Sequence, residues 1–536
     1  MKKCFLLLAL LMLVLIPAAK PAAAIESGGW SYELLDDGNA EITGYKGTDV
    51  DVTVPGSLDG HTVVSIGTDA FRENTNIISI HFADSILTIG DQAFNGCENL
   101  ASISLPKNLQ TIKVGAFQAN PSLVSITFPD TLTSIEAFAF NNTGLVSVDL
   151  PGSLNSIGQN PFMGCDNLLS FNISLDNQKF KIVNHALYNS ETKTLIAYPG
   201  GLSDQTYEIP EGTSTIGYGA FFMNKALTNV VIPGSVTTIG SQAFNRSSLT
   251  EVVIPEGVTA INDAAFSACE NLTSVSLPNS LTAIVGNPFN RCVNIETFEI
   301  SAEHPVFEVV DSALIDKQEH RLIIYPVGPI ATSYTVPEGV TTIGLYAFEG
   351  CKSLKNVSLP ESLTSIDRYA FSRTGLTSVE IPEGVISIGD FAFNGCGDLM
   401  SVSLPSSLKS IGKAAFFSSG LQYVEIQEGV SSIGDAAFGR CENLTSVKLP
   451  DSLRFIAMRA FDYTGLRHVE IPEGVIEIGE QAFWNCESLS SVTIPESVTF
   501  IGDEAFLGTP LTSVNVTAGS YAEKWAQENG LECVYP

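Results

Sequence analysis

Apolar residues in this chain recur in a composite pattern about 22 positions long. In "LTSVEIPEGVISIGDFAF", Leu376 to Phe393, the residues Leu376, Val379 and Ile381 alternate with polar neighbours like a short strand with one buried face. Pro382 has no N–H to donate and ends the pairing, and Glu383-Gly384 make a turn. Val385, Ile388, Ala392 and Phe393 then form a second apolar side that closes the coil. One coil has no way to bury seven such groups alone. Stacked at strand spacing, about 4.8 Å, neighbouring coils bury them in one continuous core.

The segment Ile-x-x-x-Ala-Phe, or its close variant, occurs seventeen times between Ile66 and Ile501 at spacings of 22 or 23 residues, with two gaps of 59. Phenylalanine holds the fifth place after the isoleucine in all seventeen copies, among them Phe71, Phe94, Phe117, Phe393, Phe438 and Phe483. Length alone suggests three or four globular domains, but a stacked array grows in one dimension and removes that inference. The two long gaps are related: "FKIVNHALYNSETKTLIAYP" from Phe180 is answered 127 residues later by "FEVVDSALIDKQEHRLIIYP" from Phe307. Each predicts two strands joined by a polar turn. Two readings stand: a loop that protrudes toward a partner, or an enlarged coil that continues the stack.

"LASISLPKNLQTIKVGAF", Leu100 to Phe117, resembles the leucine-rich-repeat pattern L-x-x-L-x-L-x-x-N-x-L. With its companion "IGxxAFxxC", it is similar to the BspA-like branch of secreted and surface proteins of bacteria. The position of Asn108 is Thr131, Ser153 or Gly257 elsewhere, so no strict asparagine ladder is expected. The fold class is thus an α/β-type repeat solenoid of about seventeen regular coils plus two enlarged ones. Its short parallel strands form one sheet, its opposite side is mostly irregular or short-helical, and both ends are capped.

This reading divides the chain as follows: a secretory signal peptide over residues 1–24, an N-terminal hairpin cap over 25–65, regular blocks over 66–167, 216–294 and 343–515, enlarged repeats with hairpins over 168–215 and 295–342, and a helical cap over 516–536. The signal rests on Lys2 and Lys3, the apolar run Phe5 to Ile16, and Ala22 and Ala24 at the A-x-A positions. Export to the cell surface or the medium follows, with no membrane insertion afterwards. The first cap turns at Asp37-Gly38-Asn39; the second is a helix with Ser520 as N-cap and Gly530 as stop, turning Tyr521, Ala522, Trp525 and Ala526 toward the stack.

Charge and cysteine refine the picture. The formal charge is −31, and removal of the leader, with Lys2, Lys3 and Lys20, takes it to −34. Such acidity excludes nucleic acid and anionic membrane as partners, since both need basic patches. Eight cysteines, including Cys97, Cys351, Cys396, Cys441 and Cys486, each follow a repeat phenylalanine by three residues, a place also taken by Asn74, Asn120 and Asn224. That exchange predicts a partly buried turn lined by backbone polar groups. Cysteines on alternate coils lie about 9–10 Å apart, beyond disulfide reach, so mostly free thiols are expected. Cys269 and Cys292 sit on adjacent coils, and their pairing stays open.

No catalytic or metal-binding motif is present, so neither enzyme activity nor a cofactor is expected. The exposed strand face is the candidate for function. Its middle positions read Ser358, Glu380, Ser403, Glu425, Lys448, Glu470 and Thr493, with many serines beside them. Met400, Tyr423, Arg467 and His468 interrupt this plain surface at equivalent outward positions, and large amphipathic side chains are typical binding anchors. The resemblance implies adhesion, through contact with an extracellular protein or glycan, by a monomer. The competing reading is a structural spacer or envelope scaffold without a specific ligand.

Overall fold

The computed structural model describes residues 24–327 and 331–535; the predicted signal peptide therefore lies outside the described residues except for Ala24. The chain winds into a β-solenoid in which each residue of a coil stands over its equivalent in the next. Ser378–Glu380 pairs in parallel with Ser401–Ser403, Val379 facing Val402, and Ser387–Ile388 pairs with Ser410–Ile411. The burial pattern of Ser378–Glu380 is exposed, buried, exposed, as the alternation requires.

Two columns of parallel strands run along the stack, one of three or four residues per coil and one of two residues, where a single sheet was expected. The remaining side is not short-helical. The Ile-x-x-x-Ala-Phe spacing has the look of a helical turn, yet its backbone passes twice through the left-handed region, as at Phe391 (φ 57°) and Gly395 (φ 71°). Each reversal ends any helix, and the freed N–H groups reach across to the next coil instead. Phe391 donates to the Lys413 carbonyl at 2.8 Å, Phe393 to Ala415 at 2.7 Å and Gly395 to Phe417 at 2.8 Å. The third side is thus a hydrogen-bonded column of turns, and the one helix among the described residues is Tyr521–Glu528.

Inside, the repeat phenylalanines stack ring on ring. Phe393 lies 5.1 Å from both Phe371 and Phe416, with interplanar angles of 8° and 0°. Tyr198 and Tyr325 take the phenylalanine place in the enlarged coils, against Phe221 and Phe348. Trp525 closes the file on Phe506 at 5.4 Å.

The core is divided into three clusters, which corrects the expectation of a single continuous one. The divisions are the enlarged coils. Each contains three antiparallel strands, one more than expected: Phe180–Val183, Ala186–Asn189 and Thr194–Ala197 in the first, and Phe307–Val310, Ala313–Asp316 and Arg321–Ile324 in the second. Side chains alternate across a strand, and here both faces are buried. Leu187 and Ile196 join the preceding cluster, while Ala186, Tyr188 and Leu195 join the following one. Leu314 and Ile323 against Ala313, Ile315 and Leu322 repeat the arrangement. The meanders are partitions within the array, and the last strand of each pairs in parallel with the next regular coil.

At the first end, Trp30–Leu34 and Ala40–Tyr45 form the hairpin, and Trp30 and Tyr45 cover Phe71 at 6.1 and 6.0 Å. Asp51–Val54 already pairs with Ser79–Phe82 in the long-strand column. At the other end the Ser520 hydroxyl accepts from the Glu523 N–H at 3.1 Å, as an N-cap does, and Ala522 and Ala526 are buried. Tyr521 faces solvent rather than the stack.

Candidate functional site

The long-strand column gives the molecule a ribbed outer face of small hydroxyls and carboxylates. Glu380, Glu425 and Glu470 lie on every second coil and alternate with Ser403, Lys448 and Thr493. Carboxylates on adjacent coils would stand about 4.8 Å apart and repel each other. Where a cation intervenes the pair closes: Lys448 Nζ sits 2.7 Å from Glu425 Oε1 and holds that carboxyl below the usual range.

Of the four large residues singled out in the sequence, Tyr423 and His468 share one column, with Ser401, Ser446 and Ser491 as the intervening or flanking members. Met400 and Arg467 each precede that column by one residue, so the four occupy two neighbouring positions rather than one equivalent position. Tyr423 and His468 are two coils apart, roughly 9–10 Å, and Met400 and Arg467 three, about 14 Å. All four are exposed. The Tyr423 hydroxyl donates to Glu425 at 3.4 Å, and burial against the ribs together with that carboxylate raises its pKa. His468 Nδ1 lies 3.2 Å from the Ser491 hydroxyl. The patch offers aromatic, thioether and cationic surface spread over four coils, a geometry suited to an extended contact.

The cysteine column is internal. Cys97, Cys351, Cys396, Cys441 and Cys486 are buried free thiols, as are Cys165, Cys269 and Cys292. Each sulfur sits beside a carbonyl of the preceding coil: Cys396 on Phe371 and Cys441 on Phe416, both at 3.1 Å. Asn120 meets the same demand with its amide, donating to the Phe94 and Phe117 carbonyls. Burial pushes the Cys441 thiol up to about 11 and the Cys351 thiol to about 12. Buried His304 is also architectural. Its Nδ1 accepts from the Val306 and Phe307 N–H groups and its Nε2 faces the Pro278 carbonyl, the task Asn177 performs in the first enlarged coil.

Among the described residues no group of three or more His, Cys, Asp or Glu side chains is placed to hold a metal ion. No helix there is long and apolar enough to cross a membrane. Sequence reasoning missed a set of cations on the turn column, Lys225, Arg246, Arg291, Lys352 and Arg373, which converge although up to about 150 residues separate them. The available signal was arginine recurring two places after the repeat phenylalanine.

Coil length, parallel register and the phenylalanine file define a leucine-rich-repeat solenoid. Residues 62–194, 200–310, 330–431 and 409–522 match the BspA type leucine rich repeat region (6 copies), and the chain belongs to that family. Among solved structures it is similar to a leucine-rich repeat protein from Bacteroides ovatus, at 24% identity over 76% of this chain and 95% of that one, with a TM-score of 0.39. One from Eubacterium ventriosum is 20% identical over 78% and 94%, with a TM-score of 0.41. A leucine rich cell surface protein from Faecalibacterium prausnitzii is 21% identical over 96% and 98%, with a TM-score of 0.29. No curated protein matches the chain. The chain is therefore a repeat protein of a type that serves protein interaction.

Proposed function

We propose that this protein is exported and acts as a non-catalytic binding protein at the cell surface or in the medium, engaging an extracellular protein or glycan as a monomer through the long-strand face. The observation that carries this reading is the exposed cluster of Met400, Tyr423, Arg467 and His468 on a face otherwise made of small hydroxyls and alternating carboxylates. Stability of the stack asks for nothing so large there, because the inward residues Val424 and Val469 supply the burial. The leader-like residues 1–24 and the family's association with surface proteins support the location. Adhesion to extracellular matrix or to glycans is the corresponding activity.

One observation favours the spacer reading. Several outward groups are satisfied within the face itself, Glu425 by Lys448 and His468 by Ser491. Capture on immobilised matrix proteins and glycans separates the two. The binding reading expects saturable capture, weakened at least tenfold when Tyr423→Ala and His468→Ala are combined. Absence of capture on every surface would leave the spacer, and capture unchanged by the double substitution together with Met400→Ala and Arg467→Ala would overturn this patch as the contact.

A further inference from the structure

On the turn edge, where the second and third blocks meet, an open cleft of about 620 Å³ gathers Lys225, Arg246, Arg291, Lys352 and Arg373 against two carboxylates, Glu270 and Glu349. The local balance is five positive charges to two negative, an excess of three, in a chain whose net charge is −31. The fold builds this directly. Arg246, Arg291 and Arg373 all hold the left-handed place two residues after a repeat phenylalanine (φ 58°, 60° and 57°), which turns them outward from the column. At this edge the enlarged coil does not intervene. Asn287 Nδ2 reaches the Leu345 carbonyl at 3.3 Å, so coils 58 residues apart become neighbours. The three arginines then fall on every second coil, roughly 9–10 Å apart.

Glu349, with its side chain only 5% exposed, grips Arg291 through two hydrogen bonds of 3.1 and 3.3 Å. That pair fixes the floor. Lys225 donates to the Arg246 carbonyl at 2.7 Å. Arg246, Lys352 and Arg373 form no salt bridge among the described residues, and all three are exposed at the rim. Ser247, Ser248 and Asn271 add hydroxyl and amide groups to the lining.

A site with three unpaired cations selects an anion, and guanidinium forks suit carboxylate or sulfate. The ligand is short. The net charge of the chain is −31, and anionic groups farther than about 8 Å from the cleft, the Debye length at physiological salt, gain little from its cations. The volume lies in the range of small-molecule sites, roughly 300–1,000 Å³, and the hydroxyl and amide lining suits a polyol. The neighbouring aromatic ladder does not offer a sugar platform. Tyr346, Tyr369 and Phe391 stack face to face at 4.9 and 4.7 Å, so the faces they turn to one another are covered, and none of the three lines the cleft.

We propose that this cleft binds an acidic saccharide unit of one or two rings, carrying a carboxylate or sulfate. The cleft lies on the turn edge, apart from the Tyr423–His468 face, so failure of either reading leaves the other standing. Calorimetric titration of the full chain at physiological salt tests it, with free N-acetylneuraminic acid and a sulfated disaccharide set beside neutral lactose and inorganic sulfate. An acidic sugar should bind at least tenfold more tightly than lactose and than inorganic sulfate, and more weakly as salt rises. Arg246→Gln combined with Arg373→Gln should lower that affinity tenfold or more with an unchanged circular dichroism spectrum, whereas Arg454→Gln should not alter it. No heat from either acidic sugar would overturn the proposal. So would equal affinity for lactose or for inorganic sulfate, or full affinity in the double variant.

Discussion

Replacing Phe393 with alanine removes one ring from the middle of the phenylalanine file. The side chain is fully buried and lies between Phe371 and Phe416, each 5.1 Å away and nearly parallel. A buried aromatic withdraws on the order of 150–250 Å² from water, so at about 25 cal/mol/Å² the ring contributes roughly 4 kcal/mol or more. Measured Phe→Ala changes in cores span about 3–5 kcal/mol. Close contact on both faces leaves little room for collapse and puts this site near the top, at about 5 kcal/mol. In a stack each coil touches only its neighbours, so the loss is local first. Amide exchange should report it at Phe371 and Phe393, whose N–H groups donate to the Ala392 and Ala415 carbonyls. Protection there should fall by about three to four orders of magnitude, since every 1.4 kcal/mol is tenfold. Phe455→Ala is the control: that ring is 47% exposed on the short-strand column and should cost under about 1 kcal/mol. Equal effects from the two substitutions, or less than about 1 kcal/mol at Phe393 in urea melts, would refute the inward register.

The thiol column predicts slow alkylation. With its pKa near 11, Cys441 is ionised in roughly one molecule per thousand at pH 8. Because the thiolate is the reactive form, the rate should rise about tenfold per pH unit while the fold persists. Half-buried Cys533 should react first and the eight buried thiols far more slowly than they do after denaturation; four disulfides in the mass spectrum would contradict the arrangement. Asn160, buried at the junction of the first and second blocks, donates to the Gly219 carbonyl at 2.7 Å. Asn160→Ala removes that bond and takes away the Oδ1 that accepts from the buried Phe162 N–H at 3.2 Å, and should cost roughly 1–3 kcal/mol; a change under about 0.5 kcal/mol in urea melts would count against the junction. Gly420→Ala should destabilise its corner by about 1 kcal/mol or more, because the added methyl meets the Gly397 carbonyl oxygen. An unchanged melting curve would refute that close approach.

Much of this molecule was legible because the repeat averages out noise. Val379, Ile388 and Phe393 recur with equivalents in coil after coil, and only burial explains such recurrence. Pro382 and Gly384 mark the corner between two columns with known backbone preferences. The side carrying Ala392 and Phe393 was harder, because four-residue spacing fits a helical turn as well as a tight bend. Deciding between them needs the left-handed φ values of residues such as Phe391 and Arg459, and left-handed backbone at non-glycine positions leaves little trace in composition. The partitions were half visible. Their duplication was plain, but Leu187 and Tyr188 are both apolar, and the letters do not say that they face opposite cores. The cationic cleft was hidden by distance along the chain: Arg246, Arg291 and Arg373 line one cleft only because an enlarged coil withdraws from one edge of the stack. On the strand face the chain direction gave the exposed character of Tyr423 and His468, while their separation by a whole coil follows from strict register.

The alternation of 22- and 23-residue coils in the third block also has a physical account. Short corners carry Thr374-Gly375, Ser419-Gly420 and Thr464-Gly465; long corners carry Cys396, Cys441 and Cys486 with one extra residue. Each short corner nests against the long corner before it. Gly375 and Gly420 donate to the Cys351 and Cys396 carbonyls at 3.2 and 3.1 Å, and their Cα atoms pass so near the backbone there that no side chain fits. The hydroxyl of each short corner then meets the sulfur of the next long one, Thr374 with Cys396 at 3.2 Å and Ser419 with Cys441 at 3.2 Å. Glu380, Glu425 and Glu470 all lie on short coils, so the same alternation keeps like charges two coils apart on the outer face. Corner length, buried polar pairing and surface charge therefore share one period of 45 residues. A single coil cannot be exchanged for its neighbour without breaking all three, which makes the pair of coils, rather than the coil, the unit that such an array can gain or lose intact.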